Sequence, residues 1–324
     1  MSQPSRATDG SGSRRGTADG QYYEYSKAAN PIGAGLIPPV PLADFPRHLH
    51  EDGPSRIIPF DLSAELKCPG PATSPALLAN FIRIRPGERV VTQPDATSEL
   101  YHVIRGRGRT RLDGEEIAWE SGDFLTLPAL SRAEHLADED AAFYWVHDEP
   151  LLRYLGVRAA EPRFRATLYP RERAMIELEK VERDPEAAKR SRVSVLLANA
   201  NFPQTRTITH VIWAMYGVLP ARSVQLPHHH ESVALDFIID CPEGCYTLIG
   251  REIDEGGTIK NPTRADWKPG SAFVTPPGLW HSHHNETDEP AHLMPIQDAG
   301  LHTFLRTLDI HFVHKDPKVY ISQK

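Results

Sequence analysis

The sequence has 324 residues, of which 40% are hydrophobic and 24% charged, and it carries a formal net charge of -7. This length and balance are typical of a globular protein with two domains, and the negative charge argues against nucleic acid or an anionic membrane as a partner. No apolar run approaches the roughly 20 residues that cross a bilayer, so no membrane partner is expected.

The first 20 residues, MSQPSRATDGSGSRRGTADG, are polar and rich in glycine and serine. They contain no apolar segment of the kind that secretory signals have, and their composition predicts a disordered tail over 1–20. The chain has three cysteines, an odd and low number. In the absence of a signal, this indicates free thiols and a cytoplasmic location.

Residues 21–76 include the Pro-rich stretch NPIGAGLIPPVPLADFP. They predict an irregular N-terminal arm that wraps over a domain or over a partner subunit. From about Leu77, short segments alternate apolar and polar residues and stop at glycine, proline or Asp-Gly, which predicts β-strands. Leu112-Asp113-Gly114 is a hairpin signal. We expect a first β-barrel over 77–160.

Residues 161–192 are charged with spaced apolar positions, which predicts one or two helices that link two halves. Strand patterns resume at 193 and continue through 324. The two strand-rich halves share the same order of segments, with a period near 140 residues, and this predicts duplicated barrels. The expected fold class is mainly β, with two tandem barrels, a short helical linker and an irregular N-terminal arm.

The second half contains a histidine pattern with metal-ligand spacing. His228 and His230 are two residues apart, so on a strand their side chains lie on one face. His281 follows about fifty residues later, directly after a Pro-Pro-Gly turn, and an antiparallel barrel would bring it to the first two. The sequence therefore predicts a mononuclear metal centre, with His229 and His284 facing away because they have the opposite parity.

These motifs resemble the cupin superfamily, whose double-stranded β-helix (jelly-roll) barrels carry G-x5-H-x-H-x(3,4)-E-x6-G and G-x5-P-x-G-x2-H-x3-N. The first motif fits at His228 and His230, but its glutamate position falls at Ala234 or Leu235. The second motif fits completely, at Gly270, Pro276, Gly278, His281 and Asn285.

Within the cupins, the chain is similar to gentisate 1,2-dioxygenases and related salicylate-type ring-cleaving enzymes, which carry HRHxxxAxRF and TPPxxWHxHxN. The matching segments are HHHESVALDF from His228 and TPPGLWHSHHN from Thr275, and the resemblance covers roughly 205–315. It implies Fe(II), a small aromatic acid and O2 as partners, and a homo-oligomer, either a dimer or a tetramer. Two departures are that the metal barrel is the C-terminal one and that Asp236 replaces the arginine expected to hold the substrate carboxylate.

The first half resembles a cupin barrel that has lost its metal. Glu99 fits the motif glutamate, but counting back places Gln93 and Asp95 at the two histidine positions. Ala133 stands where the third ligand belongs. We therefore expect the barrel over 77–160 to be metal-free and to serve packing and dimerisation.

Five residues are candidates for the pocket around the metal. His283 has the parity of His281 and is expected to assist proton movement, unless it is a histidine of the solvent-facing rim. Asp236 has the parity of the ligand pair. It recognises a cationic or hydrogen-bond-donating substrate group, forms an ion pair with a nearby arginine, or is satisfied by backbone or water. Arg190 and Arg192 lie where the family supplies arginines for the substrate carboxylate, although a solvated helix end is the simpler interpretation. Trp213 matches a pocket-wall tryptophan of the family or belongs to the core.

The ligand set alone does not choose the metal, because neutral imidazole suits iron, zinc, copper and nickel. Three neutral ligands leave the +2 charge uncompensated, which favours an anionic, chelating substrate. The function predicted is an Fe(II)-dependent ring-cleaving dioxygenase of a hydroxy- or amino-substituted aromatic acid. The alternatives are an O2-independent metal-dependent isomerase, decarboxylase or hydrolase acting on a small anion, and a non-catalytic cupin that binds a small molecule.

Overall fold

The computed structural model describes residues 19–187 and 192–314, and the backbone of 320–322. The chain divides into two compact units, Met1–Pro39 and Val40–Lys324. In the first unit, the helix α1 (Tyr25–Ala28) and its flanks expose Tyr22, Tyr25 and Leu36. Most of the tail predicted over 1–20 lies outside the described residues.

The second unit begins with short elements that belong to the predicted arm. They are β1 (Asp44–Phe45), α2 (His48–Glu51), β2 (Arg56–Pro59) and α3 (Ser63–Leu66). The first large set of strands follows and ends in a helix. Its members are β3 (Leu78–Ile84), β4 (Arg89–Thr92), β5 (Ser98–Arg105), β6 (Arg107–Leu112), β7 (Glu115–Glu120), β8 (Phe124–Pro128), β9 (Ala133–Ala137), β10 (Ala141–His147) and α4 (Glu149–Leu155).

The segment between the two strand-rich halves contains β11 (Thr167–Tyr169) and α5 (Arg171–Glu182). The second set of strands follows and includes a helix that corresponds to α4. Its members are β12 (Val193–Leu197), β13 (Trp213–Leu219), β14 (Ser223–His230), β15 (Ala234–Asp240), β16 (Cys245–Gly250), β17 (Thr263–Asp266), β18 (Ala272–Thr275), β19 (Trp280–Asn285), β20 (Ala291–Gln297), α6 (Ala299–Leu305), β21 (Ile310–Val313) and β22 (Tyr320–Ser322).

These strands form two pairs of antiparallel sheets, one pair for each half. In the first half, the sheets have the orders β11-β8-β5-β10-β3-β2 and β4-β9-β6-β7. In the second half, the orders are β1-β18-β15-β20-β13-β12 and β17-β16-β19-β14-β21-β22. The arm therefore adds one edge strand to each half, β1 to the second and β2 to the first. No helix in the described parts of the chain is both long and apolar enough to span a membrane.

Local sequence explains how the strands turn and which faces they bury. Asp113 and Gly114 join β6 to β7 with positive φ angles of 51° and 86°, which confirms the hairpin predicted at Asp-Gly. Along β15, Leu235 and Phe237 lie in a core shared by the two halves. Asp236 has the opposite parity and lies on the inner side of the second barrel.

The shared core joins the six-stranded sheet of the first barrel to one six-stranded sheet of the second. Phe237 contacts the first barrel directly, with its ring centroid 5.1 Å from that of Tyr144 and 6.4 Å from that of Phe81. All three rings are fully buried. Burial of each such ring contributes about 1.5–3 kcal/mol, so this contact fixes the second barrel against the first.

The interior of the first barrel contains a buried carboxyl group. Glu99 accepts hydrogen bonds from Tyr101 Oη at 2.5 Å and from Trp145 Nε1 at 3.1 Å. Burial raises the pKa of Glu99 from its ordinary value of 4.5 to about 8. The folded protein consequently keeps this carboxyl protonated in a pH range where the unfolded chain ionises it.

We expect Glu99→Gln to stabilise the protein at alkaline pH. Below pH 4.5 the carboxyl is neutral in both states, and between 4.5 and about 8 only the unfolded chain loses the proton. The wild-type free energy of unfolding should thus fall through that window by about 1.4 kcal/mol per pH unit, and the amide should not contribute to this loss. Denaturant unfolding at pH 5 and pH 8 checks this, with the exposed Glu115→Gln as control. A stability gain that is equal at both pH values would contradict it.

Candidate metal centre

Two neighbouring strands position the histidines of the predicted centre. β14 pairs antiparallel with β19, and His228 lies directly across from His281. Gln225 pairs with His283, so a step of three residues along β14, from Gln225 to His228, matches a step of only two along β19. The register therefore shifts between Gln225 and His228. This bulge turns Gln225 to the same interior side as His228 and His230, which simple alternation would not allow.

The structure brings the three predicted ligands together. His228, His230 and His281 each offer a ring nitrogen, and these nitrogens all lie within 4.8 Å of one another. The ring centroids of His228 and His281 are 4.1 Å apart, and those of His230 and His281 are 5.0 Å apart. All three side chains are buried.

The backbone hydrogen bonds of these histidines use the same nitrogen, Nδ1, on each ring. Nδ1 of each lies 2.9–3.1 Å from a backbone carbonyl oxygen two residues away. The carbonyl oxygens are those of Leu226, Ser232 and Leu279, in the order His228, His230, His281. Because a carbonyl only accepts, Nδ1 carries the proton and Nε2 presents its lone pair. This is the usual way in which a protein prepares imidazole for a metal ion.

The electrostatics of the group also suit a cation. Burial lowers the pKa of His230 to about 4 and lowers the pKa of His228 and His281 well below their ordinary range. The rings are therefore neutral near pH 7, as metal ligation requires. The buried group could hold a metal ion, and three neutral ligands would leave the charge of that ion uncompensated.

A chain of hydrogen bonds fixes His283, which lies beside the three ligands. Its ring centroid is 5.7 Å from those of His228 and His281. Trp267 Nε1 donates to Thr247 Oγ1 at 2.8 Å, and Thr247 Oγ1 lies 2.8 Å from His283 Nδ1. Arg192 Nη2 lies 3.2 Å from His283 Nε2. Because arginine only donates, Nε2 is the accepting nitrogen and Nδ1 donates to the threonine.

The first barrel repeats this arrangement. Trp119 Nε1 donates to Thr110 Oγ1 at 3.1 Å, and Thr110 Oγ1 lies 2.8 Å from His135 Nδ1. There, however, His135 Nε2 lies 3.0 Å from Thr92 Oγ1, which takes the place that Arg192 has beside His283. The Trp-Thr-His chain is thus common to both barrels, whereas the arginine contact belongs to the second.

The register of the first barrel corrects one count made from the sequence. Thr92 lies across from Ala133 on β4 and β9, as His228 lies across from His281. Thr92 is therefore the residue that corresponds to the first ligand. The placement at Gln93 was wrong because counting residues back from Glu99 does not show which residue lies across from Ala133. Gln93 is exposed, and Asp95 pairs with Arg158.

Arg192 is a part-buried cation, and none of its hydrogen-bond partners among the described residues carries a negative charge. Its Nε donates to Gln225 Oε1 at 3.1 Å, its Nη1 lies 3.8 Å from Met215 Sδ, and its Nη2 contacts His283. Burial lowers the pKa of Arg192, and the electrostatic attraction of Asp236 opposes that effect. The guanidinium is thus poised to receive an anion.

A cavity of about 380 Å³ gives access to this arginine. Arg192, Gln225 and His283 line it together with Glu182, Ser223 and several apolar residues. His283 therefore borders both the cavity and the three ligands. A molecule the size of a single substituted aromatic ring fits such a volume.

The other predicted pocket residues have different surroundings. Asp236 is buried and accepts a hydrogen bond from Thr275 Oγ1 at 2.8 Å, and burial raises its pKa to about 6. Trp213 begins β13 across from Gln297, and its Nε1 has no hydrogen-bond partner among the described residues. Arg190 lies outside the described residues.

The histidines of opposite parity lie away from the group. His229 stacks on His311 with ring centroids 4.6 Å apart, and His284 stacks on Tyr246 at 4.7 Å. The sequence interpretation missed four residues next to the group. They are Gln225, Thr247, Trp267 and Gln297. The bulge masked the first, and the repeated Trp-Thr-His chain would have indicated the next two had the barrels been aligned strand by strand.

Comparisons with known proteins agree with the resemblance predicted from the sequence. No family model matches the chain. It is 36% identical over 86 residues to a 5-aminosalicylate 1,2-dioxygenase from Comamonas sp., a match that covers 26% of this chain and 23% of that protein. It is 32% identical over 88 residues to a 5-nitrosalicylic acid 1,2-dioxygenase from Bradyrhizobium sp., covering 26% and 42%. The matched segments thus span less than half of either relative.

The fold matches over a much longer stretch. A crystal structure of the salicylate 1,2-dioxygenase from Pseudoaminobacter salicylatoxidans with gentisate aligns with a TM-score of 0.66 over 90% of this chain and 90% of that one, at 13% identity. The same enzyme in a second crystal structure gives 0.65 over 84% and 88%. The two-barrel cupin fold predicted from the sequence is confirmed.

Proposed function

We propose that this protein is an Fe(II)-dependent dioxygenase that cleaves the ring of a salicylate-like or gentisate-like aromatic acid, bearing hydroxy or amino substituents. Both atoms of O2 would be added across the ring bond between the carbon that carries the carboxylate and the carbon that carries the adjacent hydroxyl. One substrate and one O2 then give one ring-opened oxo acid, with no other reductant. The similarity to 5-aminosalicylate and 5-nitrosalicylic acid 1,2-dioxygenases supports this reaction class.

The proposal rests on one observation: the positively charged Arg192 lies close to a group of three neutral histidines. Arg192 contacts a glutamine, a methionine and a histidine, and His283 joins it to the three buried histidines. An aromatic acid with an adjacent hydroxyl supplies what both places lack: a carboxylate for the guanidinium and an anionic oxygen chelate for the metal. Charge-assisted contacts of this kind are among the strongest that a pocket makes.

His228, His230 and His281 would hold the iron through Nε2. When bound, Fe(II) would supply the redox chemistry that activates O2 and the Lewis acidity that favours the phenolate form of the substrate. Three neutral ligands fit an anionic substrate better than a two-histidine, one-carboxylate set, because the substrate itself then neutralises the charge.

His283 would handle the proton of the substrate hydroxyl. Its Nδ1 is committed to Thr247 and its Nε2 accepts from Arg192. A substrate carboxylate that binds the guanidinium competes for that arginine and releases the Nε2 lone pair. Nε2 could then accept the phenolic proton as the hydroxyl becomes a phenolate.

Asp236 would shape the choice of ring substituent. The carboxyl stands where the family resemblance leads one to expect arginine, and it accepts a hydrogen bond from Thr275. A carboxyl group in that position favours a substituent that donates hydrogen bonds, such as an amino or hydroxyl group. Trp213, whose Nε1 has no hydrogen-bond partner in the part of the chain that the structure describes, would add a donor to the pocket wall.

The proposal is tested by an anaerobic binding screen followed by addition of O2. Salicylate, gentisate, 5-aminosalicylate and 5-nitrosalicylate are added to the Fe(II)-loaded protein, and binding is followed by visible absorption. We expect at least one to bind and then to consume O2 with loss of the aromatic absorbance. Substrate turnover without O2 would instead support an isomerase, decarboxylase or hydrolase. Binding without any turnover would support a binding protein.

A further inference from the structure

The two barrels carry different residues at the position of the cupin glutamate and at the position across from it. In the first barrel Glu99 lies across from His147 on β5 and β10, and in the second Ala234 lies across from Gln297 on β15 and β20. Asp148 and Asp298, which directly follow these two residues of β10 and β20, accept backbone N–H groups. The donors are Ser98, the first residue of β5, and Val233, which directly precedes β15. Ala234 is therefore the equivalent of Glu99, and it leaves space.

Gln297 extends into that space. It is buried, its Oε1 accepts a hydrogen bond from Ser232 Oγ at 2.9 Å, and its Nε2 lies 3.4 Å from His230 Nε2. His230 Nδ1 is committed to the Ser232 carbonyl oxygen, so Nε2 is the nitrogen that would ligate a metal. Because the serine hydroxyl donates to the amide oxygen of Gln297, that oxygen points away from His230. The amide N–H groups then point towards His230 Nε2.

A metal ion on His230 would take the lone pair that the amide now faces. A buried N–H group without an acceptor costs about 1–3 kcal/mol, so the amide needs a new acceptor in the same place. The chemical group that meets this need is an anionic oxygen of the molecule bound to the metal. A carboxylate in place of the amide would instead ligate the ion and neutralise one of its charges.

We propose that Gln297 is a specificity-determining residue that replaces the missing glutamate with a neutral hydrogen-bond donor. It keeps the protein ligand set uncharged and donates to an anionic oxygen of a chelating ligand, so that the centre selects oxygen dianions such as a phenolate-carboxylate over neutral molecules. Ser232 is a positioning residue that orients the amide. This inference rests on the proposed metal centre and extends it to ligand class.

Two substitutions of Gln297 separate charge from hydrogen bonding. Gln297→Glu should bind a divalent metal about tenfold more tightly and salicylate about 10- to 100-fold more weakly, because the protein then supplies the negative charge. Gln297→Leu should leave metal affinity within about twofold but also weaken salicylate by about tenfold. Calorimetric titration with Zn(II), followed by anaerobic titration of the Fe(II) form with salicylate, measures both affinities without turnover.

Gln225→Glu is the matched control, because it adds the same charge at the other buried glutamine of the barrel, beside Arg192. Its Zn(II) affinity should stay within about threefold of wild type. Thermal melting of the metal-free variants verifies folding, and Gln297→Leu decides the matter should the glutamate variant not fold. Wild-type affinities for metal and salicylate in both Gln297 variants would overturn this inference alone. A wild-type protein that takes up no divalent metal would overturn the proposed function itself.

Discussion

Replacing His281 by alanine should abolish both stoichiometric metal binding and O2-dependent turnover. His281 supplies one of three buried Nε2 lone pairs, and its loss leaves two neutral ligands for a divalent ion. Substitutions of groups that merely orient a ligand already cost about 10- to 100-fold in metal affinity, so loss of a ligand should cost more than about 100-fold. Metal analysis after gel filtration, together with O2 uptake on the reconstituted protein, measures both effects.

His284→Ala is the matched control for this experiment. His284 lies on the same strand three residues on, but stacks on Tyr246 outside the ligand group. Its substitution should leave metal content at wild-type level. The proposed centre is wrong if His281→Ala still binds one metal per chain and turns over, or if the two variants lose metal equally.

Replacing Arg192 by methionine should remove affinity for the carboxylate of the substrate while sparing the metal. Methionine keeps much of the apolar stem and removes the guanidinium, whose loss at a buried ion pair costs about 2–5 kcal/mol. We therefore expect the Kd for salicylate to rise by at least about 30-fold and the metal content to stay unchanged. Anaerobic titration of the Fe(II) form with salicylate measures the affinity.

Two comparisons separate recognition of the carboxylate from general damage. Arg222→Met removes an exposed arginine of the same barrel, which pairs with Asp288, and should not change the Kd. A phenol that lacks the carboxylate should lose little affinity in Arg192→Met. An equal loss for both ligands would show that the guanidinium does not hold the carboxylate.

The fold was largely predictable because its signals are local. The alternation of apolar and polar residues and the Asp113-Gly114 turn depend on strand geometry alone, and both reappear in the structure. What the sequence did not indicate is how the arm pairs. β1 joins the second barrel and β2 the first, and such pairing depends on contacts far apart along the chain, across from Ala272 and Phe273 in one case.

The candidate site was partly predictable for the same reason. The i, i+2 spacing of His228 and His230 determines which face they share, and no long-range information is needed for that inference. Gln225 was missed because a bulge changes the parity of β14 between it and His228. Gln297 was missed because its importance depends on facing Ala234 across two strands, which a single segment does not reveal.

The two barrels differ at the positions of the three candidate ligands and of the motif glutamate. Both keep a tryptophan and a threonine behind a histidine, at Thr110 and Thr247. The first barrel keeps Glu99 but has Thr92 and Ala133 where the second has His228 and His281. The second has the ligands but lacks the glutamate. Under the proposed function, the charge at the centre, and hence the kind of substrate, would follow from that exchange.

Labelling with ¹⁸O2 tests the central claim most directly. The Fe(II)-loaded protein is supplied anaerobically with the aromatic acid that binds it, exposed to ¹⁸O2 in ordinary water, and the product is examined promptly by mass spectrometry. A ring-cleaving dioxygenase should give a ring-opened acid heavier by two ¹⁸O atoms, with one O2 consumed for each substrate. A product that contains one ¹⁸O atom or none after correction for exchange with water, or turnover that proceeds without O2, would contradict the account.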